Sequence, residues 1–239
     1  VLCVIGGCNG AGKTTLAREL LPLLGIKRFL NTDEIARGLS PLDPSLSAFR
    51  AGRILLEEIT ALLARGESFA LESTLSGRTY VAMLQKAKAN GYHVLLHYIV
   101  IGSGTQAVER VALRVSHGGH FVPEEDVRRR FARSRKHFLE DYLPLADEWV
   151  LWDNETPPHE RLADHSTHST AQLSAMITPS TIHEAPSGSM SEMARLGLEA
   201  SRRATAKMLD YYKRMGIRVT PQMTLAPEPK KRTRKATAS

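Results

Sequence analysis

The sequence predicts an α/β fold: a mostly parallel five-stranded sheet covered by helices on both faces, followed by a C-terminal helical extension. Three observations carry this expectation. Short apolar runs alternate with stretches whose apolar residues recur every three or four positions. The runs are apolar throughout rather than at every second residue, as strands buried on both faces require. The first run ends in a glycine-rich turn that leads straight into a helix-like stretch.

Each element follows from its local pattern. Val1–Ile5 is a short apolar strand stopped by glycines. Thr14–Leu24 has helical spacing through Leu16, Leu20, Leu23 and Leu24. Arg28–Asn31 is a second short strand. Ala48–Arg65 is a long helix with Ala51, Leu55, Ile59, Leu62 and Leu63 on one stripe. Ser68–Glu72 is a third strand. Val81–Ala89 is helical, and Gly91 ends it in the left-handed position that helix termini favour. Tyr92–Ile101 is a fourth strand, Thr105–Ser116 a helix, and Pro123–Tyr142 another that opens with Pro and acidic residues. Glu148–Trp152 is the fifth strand.

The pattern then changes. The expected organisation is a folded body over 1–155, a Pro/Ser/Thr-rich linker over 156–190, an appended helix over 191–216 and a basic disordered tail over 217–239. Charge divides the same way. The formal net charge is +7, yet residues 195–239 hold 12 Lys and Arg against 3 Asp and Glu, and the rest hold 20 against 22. A globally basic nucleic-acid-binding surface is therefore not expected of the body; the basic tail is expected to stay solvated, with nucleic-acid contact the other reading. The longest apolar run is far short of the roughly 20 residues a membrane span needs. No basic-then-apolar leader precedes the first strand. Cys3 and Cys8 are too close to frame a disulfide scaffold and read as reduced thiols, so a cytoplasmic location is expected.

The chemistry concentrates in the first turn. Gly7-Cys8-Asn9-Gly10-Ala11-Gly12-Lys13-Thr14 fits the phosphate-binding pattern G-x-x-x-x-G-K-[ST], with a strand before it and a helix after it. Its glycines permit a tight loop whose amides point at phosphates, and the helix N-terminus adds positive potential. The expected nucleotide-binding residues are Gly7, Asn9, Gly10, Ala11, Gly12, Lys13, Thr14 and Thr15. Lys13 would reach the outer phosphates, and the Thr14 hydroxyl would hold Mg²⁺.

This loop serves motors, switches and small-molecule kinases alike. An N-K-x-D base-reading segment is absent, which argues against a GTP switch, and the fourth strand ends without an acid, which argues against a motor. An acid does follow the second strand: Asp33. In an open α/β sheet the strand C-termini face the ligand crevice, so Asp33 is expected to orient or deprotonate an acceptor hydroxyl. Capping of the following helix, with Thr32 as a rival cap, is the other reading of Asp33. Glu72-Ser73-Thr74 follows the third strand at the same edge and suits a hydroxylated acceptor. Arg110, Arg114 and Arg130 are candidates to neutralise charge on a transferring phosphoryl group. Arg128, Arg129, Arg133 and Arg135 read as a solvated helix face. His117 and His120 lack further ligands at metal-site spacing, and His159, His165 and His168 read as incidental.

Taken in order, Gly7 to Thr15, Phe29-Leu30-Asn31-Thr32-Asp33, Glu72 to Gly77, Glu109-Arg110 through Arg114, Gly118-Gly119-His120, Val122-Pro123, Arg129-Arg130-Phe131 and Trp152-Asp153-Asn154 resemble the zeta-toxin-like P-loop kinases over about residues 1–155. The match is to the short bacterial branch with a Gly-Gly-His-x-Val-Pro lid. The resemblance implies a P-loop kinase fold and ATP-dependent transfer to a sugar hydroxyl, the toxins of the family acting on UDP-N-acetylglucosamine. It implies Lys13 as the loop lysine and Asp33 as the acceptor-side base. Glu72 and Thr74 fall in the acceptor pocket, and Arg110 is a lid arginine. Where the longer toxins carry a second lid arginine this chain has His120, so the second charge falls to His120, Arg114 or Arg130.

The appended helix lies outside the resemblance. It is expected to pack on the body, to act as an antitoxin-like segment occluding ATP, or to dimerise. Two other functions compete with the sugar-nucleotide kinase. One is a kinase for another hydroxylated small molecule, such as an antibiotic or a sugar acid. The other is an ATP-binding regulator with weak catalysis, which would have no need of Asp33.

Overall fold

The computed structural model describes residues 1–116 and 122–177. Six strands form one sheet: β1 (Leu2–Gly7), β2 (Arg28–Leu30), β3 (Phe69–Ser73), β4 (Val94–Val100), β5 (Glu148–Asp153) and β6 (Glu160–Asp164). Their order is β2-β3-β1-β4-β5-β6. The first five are parallel, and β6 runs antiparallel against β5.

Alternation along β1 explains the two layers. Leu2 and Val4 enter one core with Leu55, Ile59, Phe69, Leu71, Leu96 and Leu151. Cys3 and Ile5 enter the other with Leu16, Leu20, Leu95, Ile99, Val111 and Trp152. Helices α3 (Ala48–Arg65) and α4 (Val81–Ala89) supply the first layer, and α1 (Lys13–Leu23) and α5 (Gly104–Ser116) the second. Successive side chains of a strand point to opposite faces, so a strand flanked by helices on both sides must be apolar at every position. On β4, His97 is an interior exception, and it is costly to charge. It is 2 % exposed, its Nδ1 accepts a 3.1 Å hydrogen bond from Trp152 Nε1, and burial pushes its pKa down to about 3.

Two differences from the sequence expectation matter. The sheet has six strands rather than five. Residues 156–177, expected to begin a linker, instead form β6 and the helix α7 (Thr170–Ile177). Ala163, Leu173 and Ile177 are buried in the first core layer, so this stretch belongs to the folded body. Among its Pro, Ser and Thr residues only Ala163, Leu173 and Ile177 are buried apolar side chains, too few to show a period. The rest of the expected linker, the appended helix and the basic tail lie outside the described residues. Among those described, no helix is long and apolar enough to cross a membrane.

A second helix missing from the sequence reading, α2 (Thr32–Leu39), follows β2 directly. Asn31 caps it: its side-chain oxygen accepts from the Asp33 amide at 2.8 Å and the Glu34 amide at 3.3 Å. The cap is therefore neither Asp33 nor Thr32. Helix α6 (Glu124–His137) runs on into a wider π-type turn over Phe138–Tyr142.

Candidate active site

The order β2-β3-β1-β4 brings three strand ends together, and the chemistry collects there. Parallel pairing sets Ile5 beside Glu72 and Gly6 beside Ser73, so the end of β3 lies against the entrance to the glycine loop. Gly10 and Gly12 have φ of +78° and +89°, a backbone region that side chains rarely adopt. A Cβ on Gly12 would collide with Asn154 and sit 2.8 Å from His159 Nε2. Asn154 Nδ2 donates to the Ala11 carbonyl at 2.9 Å. The loop is thus braced from behind by the β5–β6 connection. His159, read as incidental from sequence, is 5 % exposed and held neutral there, burial lowering its pKa to about 4.

Lys13 is buried; its ammonium donates to the Cys8 carbonyl at 3.0 Å and lies 3.8 Å from Glu72. Glu72 takes two further donors on one carboxylate oxygen, the Thr14 hydroxyl and Asn31 Nδ2, each at 2.8 Å. A hydroxyl and a carboxylate at this separation are the hard oxygen donors that Mg²⁺ prefers alongside phosphate and water. Thr15, next in α1, is exposed.

A cavity of about 340 Å³ opens from this point. Asn9, Lys13 and Glu72 form its loop side. Asn31, Thr32 and Asp33 line a second wall, and Ser73, Thr74, Ser76, Gly77, Thr79 and Tyr80 a third. Arg114 of α5 and Arg130 of α6 complete it. Asp33 is exposed to the cavity from the first turn of α2. The lining is almost wholly hydroxyl, amide and charge.

The structure separates the candidate arginines. Arg114 and Arg130 reach the cavity wall. Arg110, one turn before Arg114, turns instead to the loop: it donates to the Glu155 carbonyl at 2.8 Å and to the Gly10 carbonyl at 3.5 Å. Arg130 is held loosely, 3.8 Å from Asp126. Of the arginines read as a solvated face, Arg135 is not one. It donates to the Ile101 carbonyl at 2.7 Å and lies 4.4 Å above the Phe131 ring. His117 and His120, with the rest of the expected lid at 117–121, lie outside the described residues. Among the described residues no cluster of three or more His, Cys, Asp or Glu could hold a metal by itself.

Comparison with known proteins agrees with this architecture. The AAA_33 family model, described as an AAA domain, matches residues 2–138. A protein of Haemophilus influenzae described as uncharacterized is 34% identical over 125 residues, covering 52% of this chain and 88% of its own. Among solved structures, that of the PezAT chromosomal toxin-antitoxin system of Streptococcus pneumoniae superposes with a TM-score of 0.59 at 17% identity. It covers 85% of this chain and 86% of that chain. The AvrRxo1-ORF1:-ORF2 structure with ATP gives a TM-score of 0.59 at 18% identity, over 78% of this chain and 66% of that one. The fold is the P-loop kinase fold, a mostly parallel sheet flanked by helices.

Proposed function

Starting from a chain that belongs to the AAA_33 family of AAA domains, we propose that it is an ATP-dependent kinase transferring the γ-phosphate to a hydroxyl of a small polyhydroxylated acceptor. The observation that carries this reading is one continuous polar cavity that joins Lys13 to Asp33 and Thr74 across from Arg114 and Arg130. A protein that only binds nucleotide has no use for an acceptor-side carboxylate and a ring of hydroxyls beyond its phosphate loop.

In this reading the loop amides and Lys13 hold the outer phosphates, which costs Lys13 its contacts with Cys8 and Glu72. Thr14 and Glu72 would hold Mg²⁺, which supplies charge neutralisation between the phosphates when bound. Asp33 accepts the proton of the attacking hydroxyl. Thr74, Ser73 and Ser76 orient the acceptor, and Glu72 contributes to that wall as well as to the loop. Arg114 and Arg130 neutralise the charge that develops on the transferring group, with His120 a further candidate. Arg110 keeps the loop and the Glu155 carbonyl in register on the nucleotide side.

A sugar nucleotide such as UDP-N-acetylglucosamine is the acceptor to test first, on the strength of the motifs shared with zeta toxins. The structural likeness to a toxin-antitoxin protein supports the companion proposal of an antitoxin-type partner, or of self-inhibition by residues 191–216. The test is incubation with ATP, Mg²⁺ and a panel of sugar nucleotides, free sugars and sugar acids, with mass detection of phosphorylated product.

A further inference from the structure

We propose that Ser134 is a positioning residue whose buried hydroxyl ties the acceptor-side loop 73–77 to α6, so that Thr74 and Arg130 hold one shared geometry. Ser134 is fully buried on a helix whose neighbours are charged. Serine is a weak helix former in such a position unless its hydroxyl is used. Here it is used twice. Ser134 Oγ donates to the Thr74 carbonyl at 2.5 Å and meets the Tyr98 hydroxyl at 2.8 Å. A carbonyl only accepts, and serine has one hydroxyl hydrogen, so Tyr98 is the donor in the second bond.

The chain of bonds therefore runs from the sheet to the loop. Tyr98 is buried on β4 and stacks on Phe138 at 3.9 Å, which makes it a fixed anchor. Burial also raises its pKa, so the phenol keeps the proton it donates. Arg130 lies four residues before Ser134, one turn away on the same face. The loop needs such an anchor. Leu75 has φ of +51°, uncommon for a branched side chain, and it is buried against Gly6. Gly77 at the far end is held by the same helical unit, its carbonyl accepting from the Tyr142 hydroxyl at 2.5 Å. The backbone that presents Thr74 and the helix that presents Arg130 are thus one body.

The kinetic arm of the test rests on the kinase reading, and the exchange arm does not. Without substrate, Ser134→Ala in the full chain should speed amide hydrogen exchange about tenfold or more in both 73–77 and 124–137, leaving β1 unchanged. Tyr98→Phe should act the same way, more weakly. Unchanged exchange in either segment, or an equal rise across the whole chain, overturns the proposal. In turnover, Ser134→Ala should lower kcat about tenfold with KM for ATP within twofold, the effect expected of misplacing a reacting group. Adding Ser134→Ala to Arg130→Ala should cost no more than Arg130→Ala alone, because the two act through one geometry. An additive loss, or a loss carried by KM for ATP, overturns it. Should the wild-type chain transfer no phosphate, the kinase reading fails and the exchange result still decides the role of Ser134.

Discussion

The Thr14 hydroxyl donates a 2.8 Å hydrogen bond to the carboxylate of Glu72, joining the first turn of α1 to the end of β3 across the mouth of the site. The same carboxylate accepts from Asn31 and faces Lys13. One side chain thus gathers the glycine loop, the first turn of α1 and the cap of α2. Glu72→Gln keeps its size and one acceptor oxygen but loses the charge that Lys13 and a divalent cation would meet. The expected outcome is a fall in kcat of at least tenfold and a raised Mg²⁺ requirement, with the melting temperature nearly unchanged. Titration of activity against Mg²⁺ checks it, and an unaltered Mg²⁺ dependence would confine Glu72 to a structural role.

Asp33 leaves the capping of α2 to Asn31 and is free to face the cavity. Asp33→Asn should therefore leave ATP affinity near wild type. It should lower kcat by ~10²–10⁴-fold, the usual worth of general-base assistance. Nucleotide titration beside steady-state rates separates the two effects. A matching loss of ATP binding would put Asp33 on the nucleotide instead.

Much of this arrangement is legible in the sequence, and the remainder is not for physical reasons. Strands buried on both faces advertise themselves as unbroken apolar runs, and the loop Gly7–Thr14 has a spacing that few other structures need. What stays hidden depends on pairing across the chain. The bond from Thr14 to Glu72 spans 58 residues and exists because β3 inserts beside β1. Arg110 and Arg114 share a helix face in sequence, yet one braces Gly10 and the other lines the cavity. His159 looks incidental until β6 folds back and brings it against Gly12. The helix α2 does have a local signal, Asn31 before an acidic pair, but it is too short to build a clear period.

The boundary of the folded body gives a prediction of its own. Ending the chain after residue 155 removes β6 and α7, whose Ala163, Leu173 and Ile177 fill the first core layer. Leu173→Ala alone should cost about 2–5 kcal/mol, as burying and then deleting such a side chain usually does. A chain ending at 177 should melt cooperatively, whereas one ending at 155 should be insoluble or melt far lower. Equal melting temperatures for the two would return 156–177 to the role of linker.

His97 ties stability to pH. Its pKa is about 3 in the fold because burial disfavours the cation, against about 6.5 unfolded. Below about 6.5 the unfolded chain takes up a proton that the folded chain refuses, so this contribution is present above that pH and is lost as pH falls toward 3. The slope approaches about 1.4 kcal/mol per pH unit inside that window. His97→Gln can keep an acceptor for Trp152 and removes the titration. Melting scans from pH 7 to pH 4 should fall less steeply for the variant than for the wild type, and parallel curves would exclude His97 as the source.

The most direct measurement is product detection with wild type and Lys13→Ala side by side. Each is incubated with ATP, Mg²⁺ and the panel of hydroxylated acceptors, and masses are recorded for every acceptor. In the proposed function Lys13 is the cation that the loop supplies to the outer phosphates; it is buried beside Glu72 at the head of the cavity. The wild type should yield a phosphorylated acceptor and Lys13→Ala none. Phosphorylated product at the wild-type rate from Lys13→Ala, or ATP bound by the wild type with no acceptor of any class modified, would contradict the proposed function.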